Sequence, residues 1–411
     1  MKLFYQLEPQ LRRSLLALFV AGLLFWASIC SLLPTLPLYV QEVAGTKQQI
    51  GMVMGSFAIG LLLCRPILGK LADDRSRKLV LLIGVAVVAI APLGYLVVKS
   101  IPLLIMLRAF HGISIAAFTT GFTALVADLS PPKQRGELIG YMGLAYPIGS
   151  AIGPAIGGFV QAEYGYPPLF MMSFALGMVG WFCAYQLPEI THETEHRPAP
   201  SQEKTSFWRL LATDRLRIPF VVMFMIGWVF GVIFTFVPLF IQENNIDLNA
   251  GLFFTAGAIV SFSVRILIGG ASDRYGRGLF ITGSLACYMI SMVMLYFAHS
   301  STELLLAASI QGVGGGVFLP TMLALMTDRS HPKERGQAFS LCFGGLDLGI
   351  ALAGPVLGYV ADLQEVRFLF AIAVGLAVTA LVSFLTLSSK DLPHSLKFAF
   401  GRTKDIYALS E

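Results

Sequence analysis

Twelve runs of about twenty mostly apolar residues divide this chain, and they leave it few ways to fold. A bilayer core about 30 Å thick takes roughly twenty helical residues to cross, and a crossing helix satisfies its own backbone polar groups. Helices are expected at 15–40, 50–71, 79–98, 101–126, 137–160, 168–187, 216–241, 249–271, 279–298, 303–326, 337–360 and 367–388. The fold class is all-α integral membrane, with twelve transmembrane helices in two pseudo-symmetric six-helix bundles. Composition agrees: 13% of the 411 residues are charged, against about 25% in a soluble domain. Most gaps are short, but 188–215 is polar, charged and contains proline, which marks a linker. The expected organisation is an N-terminal half at 1–187, a cytoplasmic linker at 188–215, a C-terminal half at 216–388 and a cytoplasmic tail at 389–411. The opening MKLFYQLEPQLRRS is too polar for a signal peptide, so the first apolar run reads as a membrane span.

The cations orient the chain. With the N-terminus in the cytoplasm, 23 of the 29 Lys and Arg fall on cytoplasmic segments. Lys47, Lys99 and Arg367 fall on the opposite side, and Arg65, Arg108 and Arg265 lie within helices. This bias places both termini and the linker in the cytoplasm, as in a multi-pass plasma (inner) membrane protein. The net charge of +5 then reports topology and contact with anionic lipid headgroups, not nucleic acid.

No metal or cofactor is expected. Cys30, Cys64, Cys183, Cys287 and Cys342 all sit in apolar runs without metal-ligand spacing and read as small buried hydrophobes. The stretch HETEH at 192–196 has the zinc-protease spacing, His192 to His196. It sits in the polar linker between Pro188 and Pro198, without the apolar helix face or third ligand that such chemistry needs. No glycine-rich loop with a following lysine is present to cradle ATP, and nothing points to an enzyme.

The chain repeats itself at an interval of 200. Arg65, Gly69, Asp73 and Arg77 match Arg265, Gly269, Asp273 and Arg277. DLSPPKQRGE at 128–137 matches DRSHPKERGQ at 328–337, and LPLYVQE at 36–42 matches VPLFIQE at 237–243 with a slip of one. Two parallel six-helix repeats joined by a linker are the plan of a transporter with its site near the bilayer midplane.

Several motifs now carry a resemblance. Gly269, Asp273, Arg274, Gly276 and Arg277 fit Gly-x-x-x-Asp-Arg-x-Gly-Arg, and Gly69, Asp73 and Arg77 fit it in part, with Asp74 and Ser76 as departures. GSAIGPAIGG at 149–158 places Gly149, Gly153, Pro154, Gly157 and Gly158 on the fifth span, RAFHGISIAAF at 108–118 places Arg108 on the fourth, and LPTLPLY at 33–39 puts two prolines near the end of the first. The chain resembles a major facilitator superfamily transporter along its whole length, and the fifth-span motif resembles that of the drug/proton antiporter branch. The resemblance implies alternating access. It also implies a conformational latch in the two loops, with the first loop as the altered member, and proton coupling through an arginine at the place of Arg108. Glycines four apart give that span a face free of side chains, and Pro154 should bend it.

Positions where the repeats differ are the better candidates for the specific task. Arg108 stands opposite Ala308, His111 opposite Gln311 and Asp347 opposite Pro147. His111 lies ten residues into its span, about 15 Å deep at 1.5 Å per residue, and Asp347 is similarly deep. A charge at that depth costs about 2.5–3.5 kcal/mol, so these three are the candidates for proton coupling or substrate contact. Trp26, Phe57, Phe118, Tyr146, Trp228, Phe234, Phe318 and Phe343 are candidates to line a cavity suited to a small amphiphilic or drug-like molecule. The expected function is a proton-coupled exporter of such a molecule, acting as a monomer in the lipid bilayer. The alternatives are a proton-coupled importer or exporter of a polar metabolite (a sugar or siderophore-like chelate) and a non-transporting membrane sensor. The direction of proton movement on adding substrate separates the first alternative, and ligand binding without flux identifies the second.

Overall fold

The computed structural model describes residues 7–43, 45–131, 134–189, 211–268, 270–331 and 334–409. Sixteen helices and no strand occur among the described residues. They are α1 (Pro9–Ser31), α2 (Leu36–Glu42), α3 (Lys47–Asp74), α4 (Arg77–Val97), α5 (Ile101–Leu129), α6 (Arg135–Gly143), α7 (Ala145–Tyr164) and α8 (Tyr166–Tyr185). Then follow α9 (Asp214–Glu243), α10 (Ala250–Ile268), α11 (Ala271–Tyr275), α12 (Arg277–Phe297), α13 (Ser301–Asp328), α14 (Arg335–Leu363), α15 (Val366–Leu387) and α16 (Leu392–Ala399). Twelve segments are long and apolar enough to cross a membrane, counting α1 with α2 and α6 with α7 as one span each.

Local chemistry sets the interruptions. The first span breaks at Leu32–Thr35, where Leu32 N–H reaches back three residues to Ile29 and Pro34 removes a donor. It resumes as α2 with Pro37 in its first turn, where the missing N–H is no loss. In the fifth span the regular ladder breaks at Leu144, not at Pro154, which lies inside α7. Leu144 N–H turns back to Tyr141 O at 3.1 Å, a three-residue tightening of the helix.

The chain forms two compact units. The first comprises Met1–Gly45, Met52–Glu195 and Asn249–Thr255. In it, α1 packs closely on α7 because Gly149, Gly153 and Gly157 present backbone to the α1 backbone. A Cβ on Gly149 would sit 2.6 Å from Trp26 Cβ, one on Gly153 2.6 Å from Ala27 O, and one on Gly157 would collide with Ser31 O. Gly158 packs beside Asn249, and Pro154 O lies against Gly251. In the core Phe118 stacks on Phe25, at 3.8 Å between ring centroids, and on Phe122, at 5.0 Å.

The second unit comprises Thr46–Gly51, His196–Leu248 and Ala256–Glu411. Here α9 lies along α14, with Gly227 pressed on the backbone at Leu346 and Gly349 on that at Phe224. The residues after the last span are not a free tail. Asp391 caps α16 by accepting from His394 N–H at 2.9 Å. That bond, with the adjacent imidazole, holds the Asp391 carboxyl below the usual carboxylate range. The cap's contribution is therefore present at neutral pH and fades as pH falls through that lowered value. Phe398 O packs on Gly278, and Thr282 on α12 donates to Ala399 O at 3.0 Å.

Arg329, at the end of α13, fastens the rest of this segment. It is fully buried. Its Nε donates to Asp405 at 2.6 Å, Nη2 to Ser388 O at 2.7 Å and to Asp405 at 3.0 Å, and Nη1 to Arg215 O at 3.0 Å. The guanidinium also lies 5.1 Å from the Tyr407 ring and 5.5 Å from that of Phe398.

Candidate functional site

Arg108 and His111 lie three residues apart on α5, so their side chains share a face. Both are buried, Arg108 to 4% exposure and His111 completely. Arg108 Nη1 is 3.4 Å from His111 Nδ1, and Tyr95 Oη on α4 is 3.2 Å from the same nitrogen. A guanidinium can only donate, so Nδ1 accepts and the proton of a neutral imidazole sits on Nε2. That Nε2 and the Nε of Arg108 are buried without a hydrogen-bond partner among the described residues.

Aromatic rings hold the pair in place. The Arg108 guanidinium lies 4.4 Å over the Phe57 ring, whose plane is nearly perpendicular to the His111 ring at 5.7 Å. Tyr39 donates to the carbonyl oxygens of Tyr95 at 2.6 Å and Val98 at 3.2 Å, which anchors the end of α4 carrying Tyr95. Gly112 and Gly60 let this happen: a Cβ on Gly112 would collide with Phe57 O and one on Gly60 with Ala109 O, so α3 and α5 approach here because neither residue has a side chain. Tyr95 and Tyr39 were not legible as members of this group, because only the packing of α2 and α4 brings them to α5.

Asp347 belongs to the second unit, while Arg108 and His111 belong to the first. It lies within α14 at 8% exposure, between Gly345 and Gly349, the positions where α14 touches α9.

Six of the eight aromatic candidates are partly open: Trp26, Phe57, Tyr146, Trp228, Phe234 and Phe343. Trp26 meets Tyr146 edge-on at 4.6 Å, Trp228 meets Phe224 at 6.2 Å, and Phe234 stacks on Phe230 at 5.7 Å. Phe118 and Phe318 are corrected to core residues. Phe118 is buried with Phe25 and Phe122 stacked against it, and Phe318 is fully buried with Tyr288 edge-on at 5.7 Å.

The two signature loops build the same ion pair. Arg77, opening α4, pairs with Asp128 at the end of α5. Arg277, opening α12, pairs with Asp328 at the end of α13, Nε to Oδ2 at 3.1 Å, and also with Asp273. The acidic partners repeat at the same interval of 200 and were visible in the sequence as matched residues without a role. Gly276 needs its φ of +95°, which favours glycine. Ser76 sits extended at φ −165° and caps α4 by accepting from Leu79 N–H at 3.2 Å, so this turn does without glycine. Asp73 is exposed, Gly69 has no neighbour within 4 Å of a built Cβ, and Arg274 lies 5.4 Å from the Tyr275 ring. Gly269 and the HETEH stretch lie outside the described residues, as do residues 190–210 of the linker. Exchanging the first pair, Arg77→Asp with Asp128→Arg, is expected to restore the roughly 1 kcal/mol that either single change removes, measured by thermal unfolding.

Twelve spans, an internal duplication and a buried polar cluster together define a multi-pass membrane transporter. Residues 15–301 and 250–406 match the Major Facilitator Superfamily model. The chain belongs to that family, whose members move small molecules across membranes and are not enzymes. It is 23% identical over 380 residues to the quinolone resistance protein NorA of Staphylococcus aureus, covering 90% of this chain and 96% of that one. It is 25% identical over 356 residues to Multidrug resistance protein 1 of Bacillus subtilis, covering 84% and 90%. Among solved structures, that of the nucleoside transporter NupG shares the fold with a TM-score of 0.72 at 17% identity, covering 90% of this chain and 98% of that one.

Proposed function

We propose that this transporter exports a small amphiphilic or drug-like molecule in exchange for protons, by alternating access in the plasma (inner) membrane with both termini in the cytoplasm. The observation that carries the reading is the Arg108–His111 pair. Two donors buried without a partner cost about 1–3 kcal/mol each relative to partnered ones, and a group that accepts their hydrogen bonds removes that cost. A site that gains by receiving an acceptor can couple ligand occupancy to a change of state in the transporter. Asp347, a buried carboxylate in the second unit, is the first-choice proton carrier in this reading. An amphiphilic substrate is supported by partly open rings in each unit (Trp26, Phe57 and Tyr146 in the first, Trp228, Phe234 and Phe343 in the second), by the fifth-span motif, and by the relatives named for quinolone and multidrug resistance. In this cycle Asp73 and Asp273 serve as latches of the two loops, and the transporter works as a monomer.

The test is flux in proteoliposomes with an imposed pH gradient, screened with fluorescent amphiphiles and with polar metabolites. Amphiphile transport that rises with the gradient and collapses with a protonophore supports the reading. Gradient-driven transport of polar metabolites alone contradicts it. Arg108→Lys is expected to lower that transport at least about tenfold with folding intact, because an ammonium loses the planar stack on Phe57 and the forked donors.

A further inference from the structure

Four residues separate Leu387, the end of the last span, from Leu392, the start of α16. So short a connection keeps α16 at the level of the lipid headgroups. Its contacts agree, since Gly278 and Thr282 belong to the first two turns of a membrane span, and the Phe398 ring lies 6.0 Å from that of Phe384 in α15. The face so docked is Ser395, Phe398 and Ala399. The flank beside it carries Leu392, Leu396 and, just past the helix, Phe400, spaced by four and exposed at 51%, 38% and 52%.

Lys390, Lys397, Arg402 and Lys404 are also exposed, and none has a carboxylate partner among the described residues. The nearby acids are engaged elsewhere, Asp405 with Arg329 and Asp391 with His394. The end of α16 brings two of these basic residues into one turn. Arg402 N–H donates to Lys397 O at 2.8 Å and Gly401 N–H to Phe398 O at 2.9 Å, with Gly401 at φ +70°. This is the glycine helix stop in which the residues bonded across the turn stand side by side and commonly make an apolar contact. Here they are two cations, both exposed. Leu396, Lys397, Phe400 and Arg402 line a single groove of about 290 Å³.

We propose that this groove is a binding site for an anionic phospholipid of the leaflet on the side of the chain's C-terminus. The phosphate sits between Lys397 and Arg402, and the upper acyl chain lies along Leu396 and Phe400. A lipid is the occupant because the groove joins an apolar stripe to a cation pair at headgroup depth. Through α16 the bound lipid would touch the second loop, since Gly401 Cα lies 3.5 Å from a Cβ built on Gly276.

The test is native mass spectrometry of the full chain titrated with phosphatidylglycerol or phosphatidylcholine. Phosphatidylglycerol is expected to be retained about thirtyfold more tightly, on the order of what two surface cations supply. The double variant Lys397→Gln, Arg402→Gln should abolish the preference without changing thermal unfolding, because both side chains are exposed. Lys404→Gln, outside the groove, should leave most of it. Equal retention of the two lipids, an unchanged preference in the double variant, or an equal loss with Lys404→Gln would overturn the site.

Discussion

Replacing Arg329 by alanine is expected to lower the unfolding free energy by about 3–5 kcal/mol, the loss seen when one partner of a buried ion pair is removed. The substitution leaves the Asp405 carboxylate, 8% exposed, without its cation and strips the carbonyl oxygens of Ser388 and Arg215 of a charged donor. It also removes the guanidinium beside Tyr407 and Phe398, so the segment from α16 to Leu409 should release first. Unfolding in detergent measures the loss, and limited proteolysis after Ser388 measures the release. Adding Asp405→Ala should recover part of the loss, because no buried charge is then left alone. A single variant as stable as the parent would contradict this account of the C-terminal segment.

The second large effect is at Gly112. Gly112→Leu forces a side chain into the carbonyl of Phe57 and drives α3 from α5. Overpacking of this kind costs about 1–3 kcal/mol. It also withdraws Phe57 from beneath Arg108, so gradient-driven transport should fall more than about tenfold. Gly140→Ala is the control, since a Cβ there meets nothing within 4 Å. Full transport by Gly112→Leu would mean that the ring beneath Arg108 does not matter.

These effects separate what the sequence discloses from what it hides. The spans were legible because bilayer thickness fixes a length and a hydropathy that any window detects. The duplication was legible because its interval stays constant through Asp128 and Asp328, and the structure gives those residues their partners, Arg77 and Arg277. Arg108, His111 and Asp347 stood out as polar groups inside apolar runs and as mismatches between halves. Tyr95 and Tyr39 were invisible for the opposite reason, since an aromatic residue in a membrane span looks like packing until a second helix meets it. Arg329 was hidden in a loop of cations. Its ion pair spans 76 residues, and the corresponding place in the first half is Leu129. Phe118 and Phe318 lie on the expected spans, but the face each presents is a matter of helix rotation, which two neighbouring rings decided for Phe118 and Tyr288 contributed to for Phe318.

In the proposed cycle buried titratable groups, Asp347 first among them, couple transport to the proton gradient. This coupling is tested most directly by comparing the parent with Asp347→Asn in proteoliposomes, with a substrate gradient alone and with a pH gradient alone. Asp347→Asn is expected to keep downhill substrate exchange but to lose transport driven by the pH gradient. Unchanged proton-driven transport in that variant would contradict it.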